Sequence, residues 1–74
     1  MKDLIEFIAR SLVDDPTQVE VSQVQRGSSV EIRLSVAKED MGRVIGKHGR
    51  VANAMRALLR VSAARESTRA SLDI

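Results

Sequence analysis

The sequence predicts an α+β domain of element order α-β-β-α-α-β, one three-stranded mixed sheet packed on three helices. Three observations carry that reading. Apolar residues recur at helical spacing in Leu4-Ile5-Ile8-Leu12, Met41-Val44-Ile45 and Val51-Ala54-Met55-Leu58, and alternate with polar ones in Val30-Ile32-Leu34-Val36 and Ala70-Leu72-Ile74. Two helical segments separate the second strand from the last, so the last can return parallel to its neighbour by a crossover. A chain of 74 residues supports about this much structure, a single domain over 1–74 burying roughly 60% of its unfolded surface.

The first helix carries Leu4, Ile5, Ile8 and Leu12 on one face, widened by Phe7 and Val13, with Asp3 and Glu6 near its positive end. It is expected to stop near Val13, because Asp14-Asp15-Pro16 pushes the residue before proline out of helical geometry. Phe7 reads as core packing with no functional role. As the only aromatic residue of the chain, it also excludes base stacking on aromatic rings as the main mode of any nucleic-acid recognition.

Val19 and Val21 alternate with Glu20 and Ser22 as a half-buried strand, and Val24 falls out of phase. The slip implies a bulge near Ser22-Gln23 or a frayed strand end. Gln25-Arg26-Gly27-Ser28-Ser29 is turn chemistry, and the Val30 to Val36 strand follows, so the two strands form an antiparallel hairpin. Glu39 and Asp40 then occupy the first turn of a short helix running through Met41-Gly42-Arg43-Val44-Ile45, where negative charge is favoured. Gly42 costs that helix about 1 kcal/mol relative to alanine. The third helix, Arg50 to Arg65, is expected to bury Val51, Met55, Leu58 and Leu59, with Asn53, Arg56 and Arg60 sharing another face.

Net charge is only +2, but it is segregated. Residues 1–40 hold five basic against eight acidic residues, and residues 41–74 hold seven against two, with none acidic between Met41 and Arg65. That is the footprint of a polyanion-binding face. One histidine and no cysteine argue against a structural zinc site, and no cofactor is implied. No apolar run approaches the roughly 20 residues of a membrane helix, and the start lacks the form of a signal peptide, so a cytoplasmic protein without a membrane partner is expected.

At the centre of the basic half lies Val44-Ile45-Gly46-Lys47-His48-Gly49-Arg50-Val51, a tight turn between two helices. Gly46 falls where a helix end wants a left-handed residue without Cβ, and Gly49 where another backbone could come close. The amides around Gly49 and Arg50 are expected to lack helical partners and to point outward with the positive end of the helix dipole, which suits phosphate. Two glycines three apart also fit an ordinary turn between helices. The segregated charge and the flanking elements favour the phosphate reading.

In this context Gly46-Lys47-His48-Gly49 resembles the GxxG loop of KH domains, which bind RNA and single-stranded DNA. The element order is similar to that of type II KH domains and accounts for the whole chain. The run from Glu39 to Arg50, the opening Met1-Lys2-Asp3-Leu4-Ile5-Glu6 and Leu12-Val13-Asp14-Asp15-Pro16 resemble stand-alone bacterial members. Lys38 departs from the pattern, which has proline ahead of the Glu-Asp pair. The resemblance implies a loop that clamps the sugar-phosphate backbone of about four nucleotides, with the bases in a neighbouring apolar groove. It also implies a small RNA chaperone that associates with a second KH-containing protein of the Jag type and affects cell-wall homeostasis and cell length.

Carried onto this sequence, the amides after Gly46 and Gly49, with Lys47, His48, Arg50 and Arg43, hold phosphates of single-stranded RNA. Val44, Ile45, Val51 and the edge of the Val30 to Val36 strand floor the groove, and Arg33 or Asn53 reads the bases. With so few side chains, affinity is expected to be weak and specificity relaxed. A protein-interaction module that forms a homodimer is the main alternative. A helix-turn-helix reading DNA with Arg56 and Arg60 leaves the hairpin and last strand unexplained. Catalysis is not expected, since His48 has no acid or nucleophile beside it in the sequence.

Overall fold

The computed structural model describes residues 1–74. Its elements are α1 (Lys2–Leu12), a 3₁₀ turn (Pro16–Gln18), β1 (Glu20–Arg26), β2 (Ser29–Ser35), a 3₁₀ turn (Lys38–Asp40), α2 (Met41–Ile45), a 3₁₀ turn (Lys47–Gly49), α3 (Arg50–Arg65) and β3 (Arg69–Asp73). The sheet order is β1-β2-β3, antiparallel between the first two and parallel between the last two. The expected α+β order and mixed sheet are therefore found.

The hairpin closes through Gly27-Ser28, since Arg26 pairs with Ser29. Gly27 sits at φ 60°, the conformation that a two-residue hairpin with glycine first requires. Strand alternation turns Val30, Ile32 and Leu34 of β2 toward the helices. There they meet Ile5 and Ala9 of α1, Val44 of α2, Met55 and Leu59 of α3, and Leu72 of β3 in one buried cluster. Each large side chain so buried contributes about 1.5–3 kcal/mol.

Three expectations are corrected. The β1–β2 register runs unbroken from Glu20 opposite Ser35 to Arg26 opposite Ser29, so there is no bulge; Val24 lies opposite Glu31 on the outer face of the sheet. On α1 the buried residues are Ile5 and Ala9, while Phe7 is 72% exposed and is not core. On α3 the buried face is Ala52, Met55, Leu59 and Ala63, which leaves Val51 half-buried and Leu58 48% exposed. Alanines let α3 sit close to the sheet, so the helix is rotated relative to its bulkiest stripe.

Asp40 fastens the two ends of the helical layer. Its carboxylate is buried and accepts the amides of Asp14 at 3.1 Å and Asp15 at 3.2 Å, in the bend that follows α1. Across the sheet, Arg69 N–H and the Thr68 hydroxyl both donate to the Ser28 carbonyl, which fixes the start of β3 against the hairpin. No helix is long and apolar enough to cross a membrane.

Candidate nucleic-acid interface

The ladder of α2 ends when Gly46 N–H donates to Gly42 O at 2.9 Å. Gly46 then turns the chain with φ 77° and ψ 169°, an extended conformation of positive φ that only glycine adopts without strain. It also packs tightly, because a Cβ there would lie 2.5 Å from Val51 Cγ2 and 2.9 Å from Val51 N. His48 (φ 59°, ψ 23°) and Gly49 (φ 75°, ψ 14°) follow in the left-handed region and deliver the chain into α3. The close approach expected at Gly49 thus belongs to Gly46. A Cβ on Gly49 would meet only Asn53 Nδ2, at 3.8 Å.

The tightening of the turn also redistributes its donors. Gly49 N–H returns to Gly46 O at 3.1 Å and Arg50 N–H to Lys47 O, so these two amides, expected to be free, are occupied. At the apex of the turn, the Lys47 and His48 amides take no part in these two bonds. Both residues are exposed, as is Arg50. Two successive amides on an outward bend beside cationic side chains form a concave donor pair of the kind that receives an anion.

Charge pairing separates the basic residues into two groups. Arg10 pairs with Glu6, Arg33 with Glu31, and Arg43 with Asp14 at 2.9 Å and Asp40 at 3.3 Å. Lys47, Arg50, Arg56, Arg60, Arg65 and Arg69 form no ion pair with an acidic side chain. Their positive potential is open to an incoming polyanion. Arg43, expected as a phosphate ligand, has its half-exposed guanidinium shared between these two carboxylates.

Other expected site residues divide in the same way. Val44 has no exposed surface and belongs wholly to the core, so it floors no groove; Ile45 beside it is 37% exposed. Arg33 alternates with the core-facing Ile32 and Leu34, which places it on the outer face of the sheet, away from the helices. There its guanidinium donates to Glu31 at 2.6 Å, holds that carboxyl below its ordinary value, and has its own pKa raised in return. Expected as a base reader, Arg33 thus stands on the side of the sheet that faces away from the helices. Asn53 does stand by the turn, its Oδ1 accepting from Arg56 at 3.3 Å, while Arg56 also donates to the Leu72 carbonyl at the margin of β3. The turn therefore gathers Gly46, Lys47, His48, Gly49, Arg50, Ile45 and Asn53, and leaves out Arg43, Val44 and Arg33.

A family model described as the KH domain of KhpA and KhpB matches residues 2–74. The chain belongs to the KhpA/KhpB KH domain family. One relative, "RNA-binding protein KhpA" of Clostridium acetobutylicum, is 49% identical across all of this chain and 99% of its own. The protein of the same name from Caldanaerobacter subterraneus subsp. tengcongensis is 46% identical over 100% of this chain and 99% of its own. That from Treponema pallidum is 51% identical over 99% and 91%. Nothing matches among solved structures. Within this KH domain sequence reasoning named the amide after Gly46, that of Lys47, and missed the amide of His48 beside it. Glycine spacing marks the turn but does not say which of its amides the 3₁₀ bonds consume.

Proposed function

We propose that this KH domain binds single-stranded RNA by its sugar-phosphate backbone, using the amides of Lys47 and His48 and the side chains of Lys47, His48 and Arg50. The observation that carries the reading is the combination of two amides at the exposed apex of the turn, outside its two 3₁₀ bonds, with cations that no carboxylate neutralises. Relatives named RNA-binding proteins support it. The bases would lie against Ile45 and Val51 beside Asn53, with little side-chain discrimination. The role is binding, not catalysis, by one independent domain over 1–74 acting in the cytoplasm. By resemblance, its role is that of an RNA chaperone working with a KhpB/Jag-type partner in cell-wall homeostasis and cell-length regulation.

Titrating a fluorescein-labelled oligouridylate with the protein at several salt concentrations tests the reading. Three or four neutralised phosphates give a log–log slope of about −2 to −3, at roughly 0.7 per contact. A flat salt dependence would contradict it. A second reading, a homodimerising or other protein-interaction module with little RNA binding of its own, is favoured by Phe7 at 72% and Val61 at 57% exposure on helix surfaces. Native mass spectrometry with and without RNA separates the two.

A further inference from the structure

Beyond the turn, α3 carries a continuous exposed stripe. Arg50, Asn53, Ala57, Arg60 and Ala64 succeed one another at intervals of three or four residues, which places them on one face, and all are exposed. Nothing acidic interrupts the stripe, and the two alanines keep it low enough for a strand to lie along the helix. It leads to a concavity of about 270 Å³ between the last turns of α3 and the start of β3, lined by Arg60, Ala63, Thr68, Arg69 and Ala70.

Two features make this concavity more than a solvated helix end. Neither Arg60 nor Arg69 is paired with a carboxylate, so their mutual repulsion is uncompensated within the chain. Its floor is also fixed, because Arg69 N–H and the Thr68 hydroxyl are both committed to Ser28 O across the sheet. Two unneutralised guanidinium groups lining a hollow roomy enough for a backbone phosphate make an anion site.

We infer that the Arg60/Arg69 concavity is a second backbone-phosphate site, which holds a downstream or upstream phosphate of the same RNA strand clamped at the Lys47-His48 turn. The inference rests on the RNA-binding reading above and adds the length and path of the bound strand. Ten residues of α3 separate Arg50 from Arg60, about 15 Å at 1.5 Å per residue. At about 3.4 Å per phosphate in a stacked strand, that distance spans roughly four to five phosphates. A tetranucleotide therefore occupies the turn alone, and an octanucleotide reaches both sites.

The test measures binding of fluorescein-labelled tetrauridylate and octauridylate to the wild type, Arg60→Ala/Arg69→Ala and Lys47→Asp/His48→Asp, with Lys2→Ala/Arg10→Ala as a charge-matched control. The wild type should bind the octamer several-fold more tightly than the tetramer. The Arg60/Arg69 variant should lose that advantage, and its octamer salt slope should become shallower by about 1.4, two contacts at roughly 0.7 each. It should bind the tetramer normally and keep its melting temperature, since neither side chain has a partner to lose. The control should behave as the wild type. Equal wild-type affinity for both lengths, or an Arg60/Arg69 variant that holds the octamer with unchanged affinity and slope, overturns the second site. In either case loss of binding in the Lys47/His48 variant leaves the turn itself standing. Octamer binding that survives in the Lys47/His48 variant instead overturns the reading on which this one rests.

Discussion

Gly46 and Val51 are packed so closely that the space of one Cβ does not exist between them: the nearest Val51 atoms would stand 2.5 Å (Cγ2) and 2.9 Å (N) from it. This contact sets the bend between α2 and α3, and with it the outward aim of Lys47 and His48. Gly46→Ala should therefore cost about 3 kcal/mol or more, from overlap with backbone plus strain at positive φ. Gly49→Ala, with the same sign of φ but open space around it, should cost only about 1–2 kcal/mol. Urea denaturation of the two variants measures the difference.

His48 holds a left-handed conformation at φ 59° that glycine would accept freely. His48→Gly should raise stability by up to about 1 kcal/mol. RNA affinity should fall only in part, because the His48 side chain is lost while the backbone amide remains in place. The companion variant Lys47→Asp/His48→Asp should lose RNA binding at an almost unchanged melting temperature, since both side chains point to solvent. Thermal melts and anisotropy titrations on the pair separate the role of the backbone from that of the side chain.

Asp40→Ala leaves the amides of Asp14 and Asp15 without their acceptor and removes one of two carboxylates from Arg43. Hydrogen bonds to a charged acceptor are worth about 1.5–3 kcal/mol each, so the loss should reach about 3 kcal/mol. Amide hydrogen exchange should show the bend at residues 13–15 opening first.

Glu31 is held below its ordinary carboxylate value of 4.5, chiefly by the hydrogen bond from Arg33. A depressed folded-state pKa means stability that is present above 4.5 and lost as pH falls through the lower folded value. Glu31→Gln should flatten the acid side of a melting-temperature profile below pH 4.5 while changing RNA binding little, because Arg33 stands on the other side of the sheet.

The secondary structure was legible because its signals are local. Alternation in Val30-Ile32-Leu34, the Asp15-Pro16 stop and the Gly46/Gly49 pair each act within a few residues, and α3 begins and ends at Arg50 and Arg65 as periodicity requires. What depends on distant partners was not legible. Asp40 reads as a helix-dipole acid, although its acceptor role is defined by amides 25 and 26 residues away. Phe7 and Leu58 belong to apolar stripes broad enough to be set down in more than one rotation, and the small residues Ala9, Ala52 and Ala63 decide which one packs. Arg43 pairs with Asp14 only because the fold brings them together across 29 residues, whereas its Asp40 partner and the Glu31 partner of Arg33 are local, at i−3 and i−2.

The central claim is that the Lys47 and His48 amides receive the RNA phosphate, and amide-resolved NMR reports on them directly. On addition of single-stranded oligouridylate, the largest shifts should fall on Lys47 and His48 N–H, with smaller ones at Arg50 and Asn53. Saturable RNA binding that leaves those two amide resonances unmoved would contradict the account.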